Sequence, residues 1–198
     1  PDYAPPETQR FPAIAAREGK SMAACAYDAL LEQDGEAILY LPARNYTDFT
    51  LNTVEAMLRR EDTVLGLGDG GAHVGAICDG SMPTFLLSHW SRGGKFTIPE
   101  AVAMMTGHTA KVSGFGDRGI VAPGMKADLN VIDYDGLRLR PPRVVFDLPA
   151  GGRRLEQEAT GYRATIVSGV TVAQDDKPTG ASPGRLVRGR RTGPALAA

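Results

Sequence analysis

The apolar positions change rhythm along the chain. Between residues 12 and 33, PAIAAREG and then MAACAYDALLEQDG set Ala23, Tyr27, Leu30 and Leu31 at helical spacing, and Asp34-Gly35 supplies a stop. EAILYLP, residues 36 to 42, reads as a short strand ended by Pro42. Asp48 precedes FTLNTVEAMLRR, in which Leu51, Val54 and Leu58 mark one helical face. Arg59 and Arg60 fall in its last turn, where the helix dipole favours cations. TVLGLG, residues 63 to 68, is the next strand. Strand, helix, strand over this distance is the βαβ unit of a parallel sheet, because parallel neighbours need a long crossover. The first half is therefore expected to be α/β.

Further on, PTFLLSHW is a short apolar segment read as helical. Thr97-Ile98-Pro99-Glu100 has the form of a capping box with proline just inside, so a helix through EAVAMMTGHTAKV is predicted. After Gly114 the rhythm shortens to extended segments separated by turn residues: GIVAPGM, ADLNVIDYDG, RVVFDLPAGG and YRATIVSGVTV. Pro123-Gly124 suits the centre of a type II turn, where glycine takes positive φ. This divides the chain into an α/β part at 1–115, a small, mainly antiparallel β-domain at 116–188, and a tail at 189–198 expected to be disordered. Arg185, Arg188, Arg190 and Arg191 lack interleaved aromatics and read as a solvated run.

Composition narrows the function classes. Twenty-two basic and 23 acidic residues leave a formal charge of -1, which gives no field to attract nucleic acid or an anionic membrane. No apolar stretch approaches the roughly 18 residues that cross a bilayer. PDYAPPETQR shows neither an initiator Met nor a signal peptide. Cys25 and Cys78 form no CxxC pair and read as small buried apolar residues. These features predict a soluble, cytoplasmic protein.

The string richest in chemistry is VLGLGDGGAHVGAICDG, where an apolar strand runs into Asp69. In parallel α/β folds active sites lie beyond the C-terminal ends of strands. A carboxylate there can bind a metal ion and exchange a proton with water, while Gly70 and Gly71 let backbone approach a substrate. Asp before Gly also caps turns. His73, four residues on, would share a helical face with Asp69 or reach the same mouth from a loop, as ligand, substrate contact or brace. His89 and His108 read as packing or capping residues, Asp79 as a turn carboxylate, and Arg92 and Lys95 as a solvated loop. There is no G-x-S-x-G or Walker A, and GLGDGG departs from the dinucleotide fingerprint.

Taken together, NYTDFTLNTVEAML, LGDGGAHVGAICDGSMPTFLLSHW, EAVAMMTGHTAKVSGFGDRGIVAPGMKADLNVID, DLPAGGRRL, TIVSGV and TGASPGRLVRG resemble the amidohydrolase superfamily, within it the N-acyl-D-amino-acid deacylase and D-aminoacylase group. The resemblance implies the C-terminal βα units of a metal-dependent (β/α)8 barrel followed by a small β-sandwich-like domain. It implies hydrolysis of a non-peptide C–N bond in a small N-acyl amine or amide. Asp69 matches the aspartate that ends the last barrel strand, where it takes a proton from metal-activated water and also touches the metal. His73, Gly70 and Gly71 fall in the substrate-binding loop. The cofactor implied is zinc or a related divalent metal, its other ligands lying outside this chain. Six barrel strands are unaccounted for, so a complementing N-terminal segment is an expected partner. A non-catalytic scaffold and one chain of a split enzyme are the alternatives.

Overall fold

A computed structural model of the chain describes residues 2–42, 44–46, 48–66, 72–76 and 80–194. Helix α1, Phe11–Glu18, opens with Pro12 in its first turn and closes on Gly19, whose φ of 63° supplies the left-handed cap. Helix α2, Met22–Leu30, is capped by Ser21, whose hydroxyl accepts from the Ala24 N–H, and it buries Cys25. The stop predicted at Asp34-Gly35 is a short turn, α3 at Glu32–Gly35, with Gln33 and Asp34 in left-handed conformation.

Helix α4, Asn52–Leu58, turns Leu51, Val54 and Leu58 toward the core, as its sequence pattern predicts. Helix α5, Met82–Phe85, runs on into a π-helical turn, Leu86–Ser91, that buries Leu86, Leu87, Trp90 and Ser91. These side chains join Phe96, Ala101 and Leu137 in the hydrophobic core. Helix α6, Ile98–Met105, starts with the predicted capping box: the Thr97 N–H donates to Glu100 at 2.7 Å and the Glu100 N–H donates to the Thr97 hydroxyl at 3.4 Å.

The single helix expected through Val112 is interrupted at Thr106 and resumes as α7, Gly107–Val112. Thr106 and Thr109 donate their hydroxyls to the Val102 and Met105 carbonyls at 2.8 and 2.9 Å. Such back-bonding bends helices, and Gly107 gives the chain freedom to turn there.

The remainder is antiparallel β-structure. Its strands are β1 Leu129–Ile132, β2 Arg138–Leu139, β3 Arg143–Leu148, β4 Gly152–Glu156, β5 Ala159–Thr160, β6 Tyr162–Val167, β7 Val170–Gln174 and β8 Lys177–Pro178. One sheet has the order β1-β6-β7-β8, and β2-β5 and β3-β4 form separate pairs. The turn at Pro123-Gly124 is of the predicted kind: the Met125 N–H donates to the Ala122 carbonyl at 3.1 Å, with φ 84° at Gly124.

Two expectations are corrected. Among the described residues, 36–42 and 63–66 form no ladder, although the sequence predicts 36–42 and 63–68 as paired parallel strands, the last two residues lying outside the described ones. A strand assignment needs a partner for the backbone as well as an apolar pattern, and the exposure of Leu41, 83 %, shows how little covers this segment. The second concerns Arg92 and Lys95, which stay exposed as expected of a solvated loop but also hold specific partners. Arg92 donates to the carbonyls of Tyr134 and Leu137, and Lys95 pairs with Glu55 at 2.8 Å. Beyond Gly189, Arg191 exchanges backbone hydrogen bonds with Gly114 and Gly116 and bridges Phe115.

Candidate functional site

The string that carries the sequence-level site is only partly within the described residues. Asp69, Gly70 and Gly71 lie outside them, as do Cys78 and Asp79. His73 and Val74 are described. His73 has φ 47° and its carbonyl accepts from the Ala76 N–H at 2.8 Å, so it sits in a tight turn. Of the two placements open to His73, the loop is the one adopted. Its side chain is exposed.

The next residue fixes where this loop sits. The Val74 carbonyl accepts from the N–H of Leu155, in strand β4, at 2.7 Å. The β3–β4 hairpin, made by the DLPAGGRRL string, is thereby fastened to the loop that follows Asp69. The sequence alone assigns this string no role in the site. The signal was present in it, since an apolar strand and a basic strand flank a Pro-Ala-Gly-Gly turn, but nothing local says what a hairpin will dock against.

His89 and His108 are apart from this loop. His89 stacks on Phe85 with ring centroids 4.5 Å apart and meets Trp90 edge-on. Desolvation by these neighbours lowers its pKa, opposed by the charge of Asp2. His108 is exposed on α7 and lines a cavity of ≈ 850 Å³ floored by Leu58, Phe96 and Met104. His89 has the packing role expected for it. Among the described residues no group of three or more His, Cys, Asp or Glu side chains is arranged to hold a metal ion. The described part of the chain therefore does not by itself make a metal centre.

The DRG and PG elements of the later string prove architectural. Arg118 pairs with Asp117 at 2.9 Å and Asp128 at 3.1 Å, and Asp128 accepts from the Ser168 N–H at 2.8 Å. Gly119, at φ 96°, lies where a Cβ would come within 2.7 Å of the Ala110 Cβ. The motif thus joins α7 to the β-sheet through one charged knot and one close approach.

The Amidohydrolase family model matches residues 5–173. The chain belongs to this family. It is 31% identical over 129 residues to a 5-methylthioadenosine/S-adenosylhomocysteine deaminase of Symbiobacterium thermophilum, a match covering 62% of this chain and 30% of that protein. A D-aminoacylase mutant solved in complex with copper chloride matches with 25% identity and a TM-score of 0.50, covering 91% of this chain and 34% of the other. A second D-aminoacylase structure, said to define a novel subset of amidohydrolases, matches with 27% identity and a TM-score of 0.49 over 87% of this chain and 33% of that one. The chain spans about a third of the length of these relatives.

Proposed function

We propose that this chain is the C-terminal part of a metal-dependent amidohydrolase that removes the acyl group from N-acyl-D-amino acids. The observation that carries the reading is the family match over residues 5–173, which includes the apolar run into Asp69. The likeness to D-aminoacylase supports the choice of substrate. On this reading the residues up to 115 are the C-terminal part of a (β/α)8 barrel, and the residues after 116 are its accompanying β-domain.

Asp69 moves the proton that amide hydrolysis requires, from water to the departing amine. Gly70, Gly71 and His73 form the loop that contacts substrate. The metal, zinc or a related divalent ion, takes its other ligands from residues outside this chain. The likeness to a deaminase favours a second reading, hydrolytic removal of an amino group from a ring carbon, with the same duty for Asp69.

The test is an assay of the enzyme carrying this segment against an N-acyl-D-amino acid, its L enantiomer and an adenosine derivative. Release of the free D-amino acid is expected. Turnover of the adenosine derivative alone would replace this reading with the second one, and failure on all three would remove both.

A further inference from the structure

The last described residues fold back against the end of α7. Gly114, at φ 75°, leaves no side chain between helix and tail, and a Cβ there would lie 2.9 Å from the Cγ of Arg190. The Gly116 N–H donates to the Arg191 carbonyl at 2.8 Å, and the Arg191 N–H donates to the Gly114 carbonyl at 2.9 Å. Arg190 and Arg191 are thereby brought to the wall of a cavity of ≈ 560 Å³. Lys111, in the last turn of α7, lines it as well.

The charge in this cavity is one-sided. No aspartate or glutamate is among its lining residues. Of its cations, Arg118 is held by Asp117 and Asp128. Lys111, Arg190 and Arg191 are exposed, and among the described residues their side chains have neither an ion pair nor a hydrogen bond. Asp117, whose charge reaches Arg191, is already engaged by Arg118. The carbonyls at the end of α7 are engaged too: those of Thr109, Ala110 and Lys111 accept from the Ser113, Phe115 and Gly114 N–H groups at 3.0, 2.8 and 3.2 Å. Beside the cations the wall is apolar, built by Phe115, Ile120 and Met125.

We propose that this cavity binds a small phosphate monoester, its phosphoryl oxygens among Lys111, Arg190 and Arg191 and its ester group against Phe115, Ile120 and Met125. A phosphate monoester carries close to two negative charges and three acceptor oxygens, which suits three cations without a carboxylate partner better than a singly charged carboxylate does. The volume falls within the range of roughly 300–1,000 Å³ of small-molecule sites and leaves room for more than the phosphate itself. The site is made entirely by α7, the segment after it and the returning tail, so it does not depend on the deacylase reading.

The experiment measures calorimetric binding of phenyl phosphate, inorganic phosphate and benzoate to the enzyme carrying this segment, at constant ionic strength near neutral pH. Phenyl phosphate is expected to bind more tightly than either of the others. Arg190→Gln and Lys111→Gln are each expected to weaken it about tenfold, the equivalent of one charge-assisted contact. Arg190→Lys is expected to keep most of the affinity. Arg188→Gln, a change in a neighbouring cation that does not line the cavity, is expected to change nothing. The substituted side chains hold no partner among the described residues, so melting temperatures close to the parent's are expected and confirm that each variant is folded. Absence of phenyl phosphate binding by the parent overturns the proposal. So does undiminished binding by both Arg190→Gln and Lys111→Gln, which places the ligand elsewhere. An equal fall in Arg188→Gln reduces the effect to a general field, and benzoate binding as tight as phenyl phosphate removes the phosphate assignment; either result overturns it.

Discussion

Both terminal nitrogens of Arg92 donate to one acceptor, the carbonyl of Leu137, at 3.1 and 3.2 Å. One of them also reaches the Tyr134 carbonyl at 2.6 Å, and the guanidinium lies 5.2 Å from the centre of the Tyr134 ring. Leu137 is fully buried in the core built by the π-helical turn. One side chain therefore spans the step from helices to β-structure. Thr84 and Tyr162 make a second link, with their hydroxyls 2.7 Å apart.

Removing this fork should loosen the whole chain. Arg92→Ala removes two donors from the Leu137 carbonyl, which keeps the Arg138 guanidinium at 2.8 Å, and one from the Tyr134 carbonyl; hydrogen bonds from a charged group are worth about 1.5–3 kcal/mol. Arg92→Lys is expected to recover less than half of the loss, because an ammonium cannot reproduce the planar fork. Urea unfolding followed by circular dichroism measures both. Equal stability of Arg92→Ala and the parent would show that the carbonyls find other partners.

Gly119 is the second sensitive point. A methyl group there would sit 2.7 Å from the Ala110 Cβ and 3.0 Å from the Thr106 carbonyl oxygen, on a backbone at φ 96°. Overpacking of this kind costs about 1–3 kcal/mol. Gly119→Ala should lower the melting temperature, whereas Gly169→Ala, also at positive φ but in open space, should lower it less. Similar shifts for the two would point to backbone strain alone.

The ionic face of the hairpin makes stability depend on pH. Hydrogen bonds from Arg143 and then Arg154 hold the Glu156 carboxyl below its ordinary pKa, and Arg154 does the same for Asp147. A carboxylate with a depressed folded pKa adds stability that is fully present above its unfolded pKa and is lost as pH falls through the folded value. The melting temperature should accordingly drop on acidification below the ordinary carboxylate range. Glu156→Gln should flatten that slope while lowering stability at neutral pH. A slope as steep as the parent's would assign the acid sensitivity to other carboxylates.

The principal catalytic assignment is tested by Asp69→Asn in the enzyme carrying this segment. Loss of the proton carrier is expected to reduce kcat by about a hundredfold, the lower range for general acid–base catalysis. Metal content measured alongside separates lost chemistry from lost metal. In His73→Ala, a change confined to KM would mark a ground-state contact, and a parallel fall in kcat and kcat/KM a transition-state contact. Near-parental kcat in Asp69→Asn with full metal would reduce the carboxylate to a turn cap.

Local chemistry made part of this legible in advance. The capping box at Thr97 and Glu100, the apolar face of α4 and the turn at Pro123-Gly124 are set by neighbours in sequence, and each forms as its residues dictate. What depends on distant partners was not readable. EAILYLP has a strand's apolar pattern and forms no ladder, since pairing is a property of two segments. Arg92 and Lys95 look like surface cations until Leu137 and Glu55 arrive from elsewhere in the chain. At the site, the sequence points to Asp69 and His73 but does not reveal that Leu155 docks on Val74, the residue after His73.

The bridge between Phe115 and Arg191 also constrains how the β-region is made. Its two halves flank the eight strands, so the contact closes a long loop and is unavailable until Arg191 has been synthesised. Loop-closing contacts of such separation slow folding and come late. At the partner end, Gly116 and Gly193 approach too closely for side chains. A chain that stops before Arg191 would hold every strand and lack the clasp, so completion of this region waits on residues that belong to no strand.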